Sequence, residues 1–178
     1  WTLYRDTPGP ASAAKPAAEL GSLVKHRAAW GVMLMRACGG PVTSFYWYWL
    51  PEYLKRERGL SMDAIGAYAW LPFFFGGLGN IGGGALSSWL IRRGWSIDRA
   101  RKTALALAIA LCLAAIAVPA APDSTSAIAL ICVATTGINA LAANLIGLIG
   151  DLFPVHLHAR AMGFAGAGDG VVSMITTL

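Results

Sequence analysis

Charge is what this sequence has least of. Of 178 residues, 13% are Asp, Glu, Lys or Arg, about half the share of an ordinary globular chain, while 56% are apolar. Titratable catalytic sets are missing as well. The three histidines include no Ser-His pairing, and no cluster of ionisable residues falls at one depth of the apolar runs, which argues against a membrane-embedded enzyme. Cysteine is scarce, and Cys38, Cys112 and Cys132 show no CxxC spacing. That excludes a disulfide framework and a thiol redox pair, leaving small apolar packing residues. His156 and His158 form an HxH whose spacing suits no zinc pattern, so the pair reads as solvated or facing headgroups. No metal and no cofactor is expected. The first segment also lacks a basic n-region, an apolar core and a cleavage site, so it is not a signal peptide.

Long apolar runs are what the sequence has instead. A helix rises roughly 1.5 Å per residue, so about 18 or more apolar residues cross a hydrocarbon core of about 30 Å. Such stretches occupy residues 28–50, 63–91, 103–121, 126–150 and 161–178, the last interrupted by Asp169. The expected fold is an all-α polytopic membrane protein.

One motif points elsewhere. Gly77-Leu78-Gly79-Asn80-Ile81-Gly82 is a literal GxGxxG, and Asp98 lies 16 residues beyond Gly82 as a candidate ribose ligand. Dinucleotide binding needs a strand before the glycines and a helix opening at them. These glycines sit inside the second apolar run, where lipid-exposed backbone must be satisfied within its own helix. They are expected to let helices approach closely, with Gly76, Gly79 and Gly83 near one face and Gly77 and Gly84 near another. Asn80 is then expected to make a hydrogen bond on the packing face.

Basic residues orient the spans. Arg5, Lys15, Lys25, Arg27, Arg92, Arg93, Arg99, Arg101, Lys102 and Arg160 fall on one side, against Lys55, Arg56 and Arg58 on the other. The positive-inside rule places 1–27, 92–102 and 151–160 in the cytoplasm. The net charge of +5 is thereby a topology signal and gives no reason to invoke nucleic acid. Residues 1–27, rich in Pro, Ala and Ser, read as a linker preceding a bundle at 28–178. The start at Trp1 and the end inside an apolar run are those expected of a fragment of a larger membrane protein.

Several elements in order carry a family resemblance: W-L-P-x-Y-L at 49–54, W-x-P at 70–72, R-R-G-W-S at 92–96, A-R-K at 100–102 and D-L-F-P at 151–154. With them the chain resembles the C-terminal half of a major facilitator superfamily transporter. The nearest group is the anion:cation symporter family, in its bacterial hexuronate and galactonate branch. The resemblance implies that the five spans are helices seven to eleven of twelve and that 1–27 is the central cytoplasmic loop. The N-terminal half of the transporter would then be the partner of this chain. It implies proton-coupled uptake of a sugar acid or other organic anion across the bacterial inner membrane, by alternating access around a midplane site. Two other readings of the same fold are a drug or metabolite exporter and a non-transporting scaffold or receptor. The superfamily's cytoplasmic G-x-x-x-D-R-x-G pattern is degenerate, with Ser88 and Trp89 where Asp and Arg are expected after Gly84.

Polar groups inside the spans are the candidate site, because an unpaired buried polar group is costly. Arg36, Gly40, Thr43 and Trp47 recur at helical spacing and share one face. Arg36, roughly 12 Å deep at the helical rise, either draws an organic anion or snorkels to the interface. Tyr46 and Trp47, the deeper pair of the cluster 46–49, suit stacking on a sugar ring, unless the cluster is only an interfacial belt. Asn139 and Asn144 stand about 140° apart around their helix, so one facing a cavity turns the other from it. Both are candidate substrate ligands, the alternative being interhelical hydrogen bonding. Gly137, Asn144 and Asp151 recur every seven residues, a stripe expected to line the pathway toward the cytoplasm. Asp169 is a carboxylate within the last span, with a possible proton or gating role.

Overall fold

The computed structural model describes residues 23–177. Residues 1–22, most of the expected linker, lie outside the described residues. Every regular element among the described residues is helical. They are α1 (Arg27–Arg56), α2 (Met62–Tyr68), α3 (Leu71–Arg92), α4 (Ile97–Cys112), α5 (Ala114–Ala117), α6 (Ser124–Leu152), a 3-10 turn (Val155–Leu157) and α7 (His158–Thr177).

A helix, whole or broken, stands at each of the five apolar stretches, and prolines and one cap account for where the boundaries differ. The second splits, because Pro72 has no N–H and its ring clashes with the carbonyl four residues back. Helix α2 therefore ends at Tyr68, and Pro72 sits in the first turn of α3. The third span begins at Ile97, earlier than expected, since Ser96 caps it by accepting from the Arg99 amide. It breaks at Leu113 and finishes before Pro119. The first span instead runs through Pro41 and Pro51, each of which removes one intrahelical bond, to the carbonyls of Ala37 and Trp47. Gly94, at φ 87°, closes α3: its N–H donates to the Ile91 carbonyl and that of Trp95 to the Leu90 carbonyl, a Schellman end.

Successive long helices run antiparallel, with an apolar cluster at each end of the bundle. One joins Leu23, Val32, Leu145, Ile149, Phe153 and Leu157. The other joins Leu50, Leu54, Ile65, Val118, Ile128 and Ile131. Between the clusters the helices meet through small residues. A Cβ added at Gly79 would stand 2.2 Å from the Thr136 carbonyl oxygen, and one at Gly83 would stand 2.7 Å from the Ala140 Cα. Gly137 is pressed in the same way against Ala108 and Cys112 of α4. Packing of this kind, backbone against backbone, holds helices where the surroundings are as apolar as the side chains. Large apolar side chains point outward instead: Ile81, Ile116 and Ile175 are 73%, 75% and 68% exposed. Water would not tolerate so much contiguous apolar surface, whereas lipid does.

The glycine reading holds for half of the run. Gly76, Gly79 and Gly83 are buried against α6, while Gly77, Gly82 and Gly84 have nothing within 4 Å of an added Cβ. Asn80 is exposed on the open side and does not make the packing-face hydrogen bond expected of it.

A side chain that the sequence reading passed over fastens the end opposite the basic loops. Arg58 donates to the carbonyls of Ala121, Val118 and Pro119 and to the Tyr53 hydroxyl, so one guanidinium ties the α1–α2 connection to the turn before α6. Arg58→Ala is expected to cost about 1.5 kcal/mol, the lower end for hydrogen bonds to a charged group. A lowered melting temperature of the purified protein in detergent checks this. Arg58→Lys, which cannot span three carbonyls, should recover only part of the loss.

Candidate functional site

The polar side chains inside the bundle form three groups. The first is a hollow of about 60 Å³ between α1, α3 and α6, lined by Thr43, Tyr46, Trp47, Phe73, Thr135 and Asn139 among others. It brings together four of the seven residues singled out in the sequence. Helical spacing puts Thr43 and Trp47 four apart on α1, and the Trp47 carbonyl lost its intrahelical partner to Pro51. The Trp47 ring meets Phe73 edge-on at 5.3 Å. Asn139 donates to the Thr135 carbonyl at 2.9 Å, and its amide lies where Gly76 lacks a side chain, 2.7 Å from an added Cβ. Its Oδ1 makes no hydrogen bond among the described residues. Aromatic faces and an amide acceptor can take a polyhydroxylated ring.

The second group joins Arg36 to Asp169, which the sequence placed separately. Arg36 Nε donates to Asp169 Oδ2 at 3.1 Å, from α1 to α7. Asp169 Oδ1 accepts from the Ser173 hydroxyl at 3.2 Å. The carboxylate occupies the space above Gly40, where any Cβ would overlap it. Gly40 and Ser173 are what the sequence reading missed. Gly40 was on the Arg36 face, but only the α7 partner shows what its missing side chain is for.

The third group is Asn144 with its surroundings. It is 1% exposed, and its Nδ2 donates to the Gly83 carbonyl at 3.0 Å and the Ala140 carbonyl at 2.9 Å. It thus stands in the α3–α6 contact and away from the hollow, as its angular separation from Asn139 requires. The stripe through Gly137, Asn144 and Asp151 does not line a pathway. Gly137 packs on α4, Asn144 on α3, and Asp151 accepts from Arg101 Nε at 2.8 Å. A seven-residue repeat marks one helix face, and here that face is against protein. Arg101 Nη1 also donates to the buried Ser87 hydroxyl at 3.0 Å, over Gly147. An ion pair therefore stands at this end although the loop pattern is degenerate. Arg93 lies over the Trp89 ring at 3.9 Å.

His156 and His158 do not converge: a His158 ring nitrogen lies 2.6 Å from the Phe153 carbonyl, and His156 is exposed. A larger hollow of about 620 Å³, lined by Leu60, Leu71, Phe75, Leu111 and Ile128 among others, has no charged side chain and is chemically wrong for an anion.

Comparison with known proteins decides what kind of bundle this is. The Major Facilitator Superfamily matches residues 1–177. The chain belongs to that superfamily. A probable L-galactonate transporter of Escherichia coli is 34% identical over 134 residues, covering 74% of this chain and 29% of that protein. A probable galactarate/D-glucarate transporter of Pseudomonas putida is 37% identical over 94 residues, covering 53% and 21%. The hexuronate transporter of Escherichia coli is 27% identical over 161 residues, covering 89% and 37%. The chain thus spans a fifth to two-fifths of the length of these relatives. Membership makes the bundle a polytopic membrane protein of a transporter family and not an enzyme. By length and composition Ile97–Ala117 and Ser124–Leu152 are apolar enough to cross a membrane, whereas α1, α3 and α7 carry the polar and glycine-rich positions.

Proposed function

We propose that this chain is the C-terminal half of a twelve-helix transporter that takes up a sugar acid with protons by alternating access. The hollow carries this reading. Thr43, Tyr46 and Trp47 of α1 and Asn139 of α6 converge on it, beside the apolar cluster that contains Leu50. Small-molecule sites enclose about 300–1,000 Å³, so about 60 Å³ is one wall of a site. An N-terminal half supplies the other wall. Arg36 is the cation for the substrate's carboxylate, and Asp169 is the proton-carrying acid. Asn144 contributes through the α3–α6 contact that sets the wall. The names of the relatives support a sugar acid over a hydrophobic drug, as do the amide and hydroxyl groups of the lining. Residues 1–27 form the cytoplasmic loop before the bundle, the Arg101–Asp151 end faces the cytoplasm, and the membrane is a bacterial inner membrane.

The complete transporter, this chain with its N-terminal half, should accumulate radiolabelled D-glucuronate or galactarate in vesicles under an imposed inward proton gradient. Residues 1–178 alone should insert and accumulate nothing. Concentrative uptake by 1–178 alone refutes the half-transporter reading. A complete transporter that moves neither probe refutes the sugar-acid reading.

A further inference from the structure

We propose that Arg36 and Asp169 form an exchange site in which the Asp169 carboxylate holds the place of the substrate's carboxylate, so that one proton is bound as one substrate anion is bound. The inference rests on the sugar-acid reading and adds the coupling step. Its first ground is geometry. The guanidinium engages Asp169 through Nε alone, at 3.1 Å, and no hydrogen bond from its Nη groups is made among the described residues. A guanidinium takes a carboxylate best through two parallel donors, and that edge is open. The pair is not sealed either: the side chains are 36% and 22% exposed. Arg36 also shares its helix face with Thr43 and Trp47, about two and three turns away, so the ion pair and the hollow lie along the same side of α1.

The second ground is charge. A net charge within the bilayer is costly, so such groups are kept paired. With Asp169 ionised, the pair sums to zero. With Asp169 protonated and a substrate carboxylate on Arg36, the sum is again zero. Either half-step alone leaves the site charged. A proton arriving alone strands Arg36 as a cation, and an anion arriving alone gives two carboxylates against one guanidinium. The steps are therefore thermodynamically linked, and each ligand raises the affinity for the other.

The third ground is the absence of competitors. Of the elements packed against α7, α1 carries its other charges at its ends, Arg27 and Glu52, Lys55 and Arg56. Helix α6 carries Asp151 at its end, already paired with Arg101. On α7 itself His158 and Arg160 stand in the first turn. Cys38, Tyr46, Tyr48, Tyr53 and Cys132, the other titratable groups of α1 and α6, and His156 of the 3-10 turn make no bond to Asp169 among the described residues. The neighbours of its carboxylate are Arg36, the Ser173 hydroxyl and the backbone of Gly40, over which it lies. Ser173 lies 3.5 Å from the Ser44 hydroxyl, which leaves the protonated acid a neutral partner once Arg36 has turned away. The cycle balances: a proton from solvent bonds to Asp169 Oδ2, the ion pair opens, and the substrate carboxylate takes the guanidinium. On release the anion leaves, the proton returns to solvent and the pair closes.

The test follows protons directly. Adding D-glucuronate to the detergent-solubilised complete transporter in weakly buffered solution should raise the pH by about one proton per anion bound. In Asp169→Asn that uptake should vanish. Binding should persist and lose its pH dependence, and exchange of internal for external D-glucuronate should continue while proton-driven accumulation falls at least tenfold. Arg36→Gln should lose binding, with partial rescue in Arg36→Lys. Proton uptake or gradient-driven accumulation unchanged in Asp169→Asn overturns the exchange. If that variant does not fold, the unmutated protein still decides, since anion binding without proton uptake overturns it equally. A complete transporter that binds no sugar acid overturns the functional reading itself, so the two failures are distinguishable.

Discussion

Gly79→Leu is expected to lower the melting temperature more than any other single change in the bundle. The first side-chain atom alone would fall 2.2 Å from the Thr136 carbonyl oxygen and 2.7 Å from its Cα. These are backbone atoms of a helix, so they cannot swing aside as a flexible side chain does. The only relief is to move α3 off α6. That would open the contact holding the Asn144 amide on the Gly83 carbonyl and the Thr136 hydroxyl on the Phe75 carbonyl, at 3.2 Å. Overpacking typically costs about 1–3 kcal/mol and occasionally more. With backbone on both sides the upper end applies, about 3 kcal/mol. At roughly 2–4 °C per kcal/mol for a domain of this size, the melting temperature should fall by roughly 6–12 °C. Gly77→Leu, two residues earlier on the open side, should leave it nearly unchanged because nothing lies within 4 Å. Equal losses in the two variants would show that helix propensity or lipid contact, and not close approach, explains the glycines.

That contrast also marks what the sequence could and could not disclose. Apolar runs are set by the thickness of the bilayer, a constraint external to the fold, so the helices at the five stretches were legible within about six residues at most ends. Their interruptions were legible less well, because a proline such as Pro72 breaks a helix while Pro41 and Pro51 are carried inside one. Spacing on one helix was also legible: Thr43 and Trp47 share the hollow, and Asn139 and Asn144 face apart. What spacing cannot provide is the partner. Arg36 and Asp169 are 133 positions apart, and nothing in either local pattern announces the other. The same holds for Arg101 with Asp151, and for Arg58, whose acceptors are backbone carbonyls available at any residue. The stripe ending at Asp151 failed for a related reason. A heptad repeat identifies a face without saying whether protein or a pathway covers it.

Trp47→Ala should weaken sugar-acid binding by the complete transporter about tenfold or more, with little change in stability. Trp47 is 63% exposed and touches Phe73 only edge-on, so the bundle rests little on it. A bound ring would cover its exposed face. An aromatic contact of this kind contributes about 0.5–1.5 kcal/mol beyond the area it buries, and 1.4 kcal/mol is a decade in affinity. Asn139→Ala should cost less, roughly 3- to 10-fold, since it removes one neutral hydrogen bond of about 0.5–1.5 kcal/mol. Two controls separate binding from folding. Trp30, 48% exposed and edge-on to Phe164 at 5.4 Å, lies on the same helix outside the hollow, and Trp30→Ala should leave affinity intact. Asn144→Ala should act the other way, shifting the melting temperature through the α3–α6 contact while the protein that folds binds normally. Dissociation constants and melting temperatures measured on the same purified variants check all four. Unchanged affinity in both Trp47→Ala and Asn139→Ala would remove the hollow from the substrate path. Lost affinity at normal stability in Asn144→Ala would instead move the site to the α3–α6 contact, where the buried amide would have to turn toward the substrate.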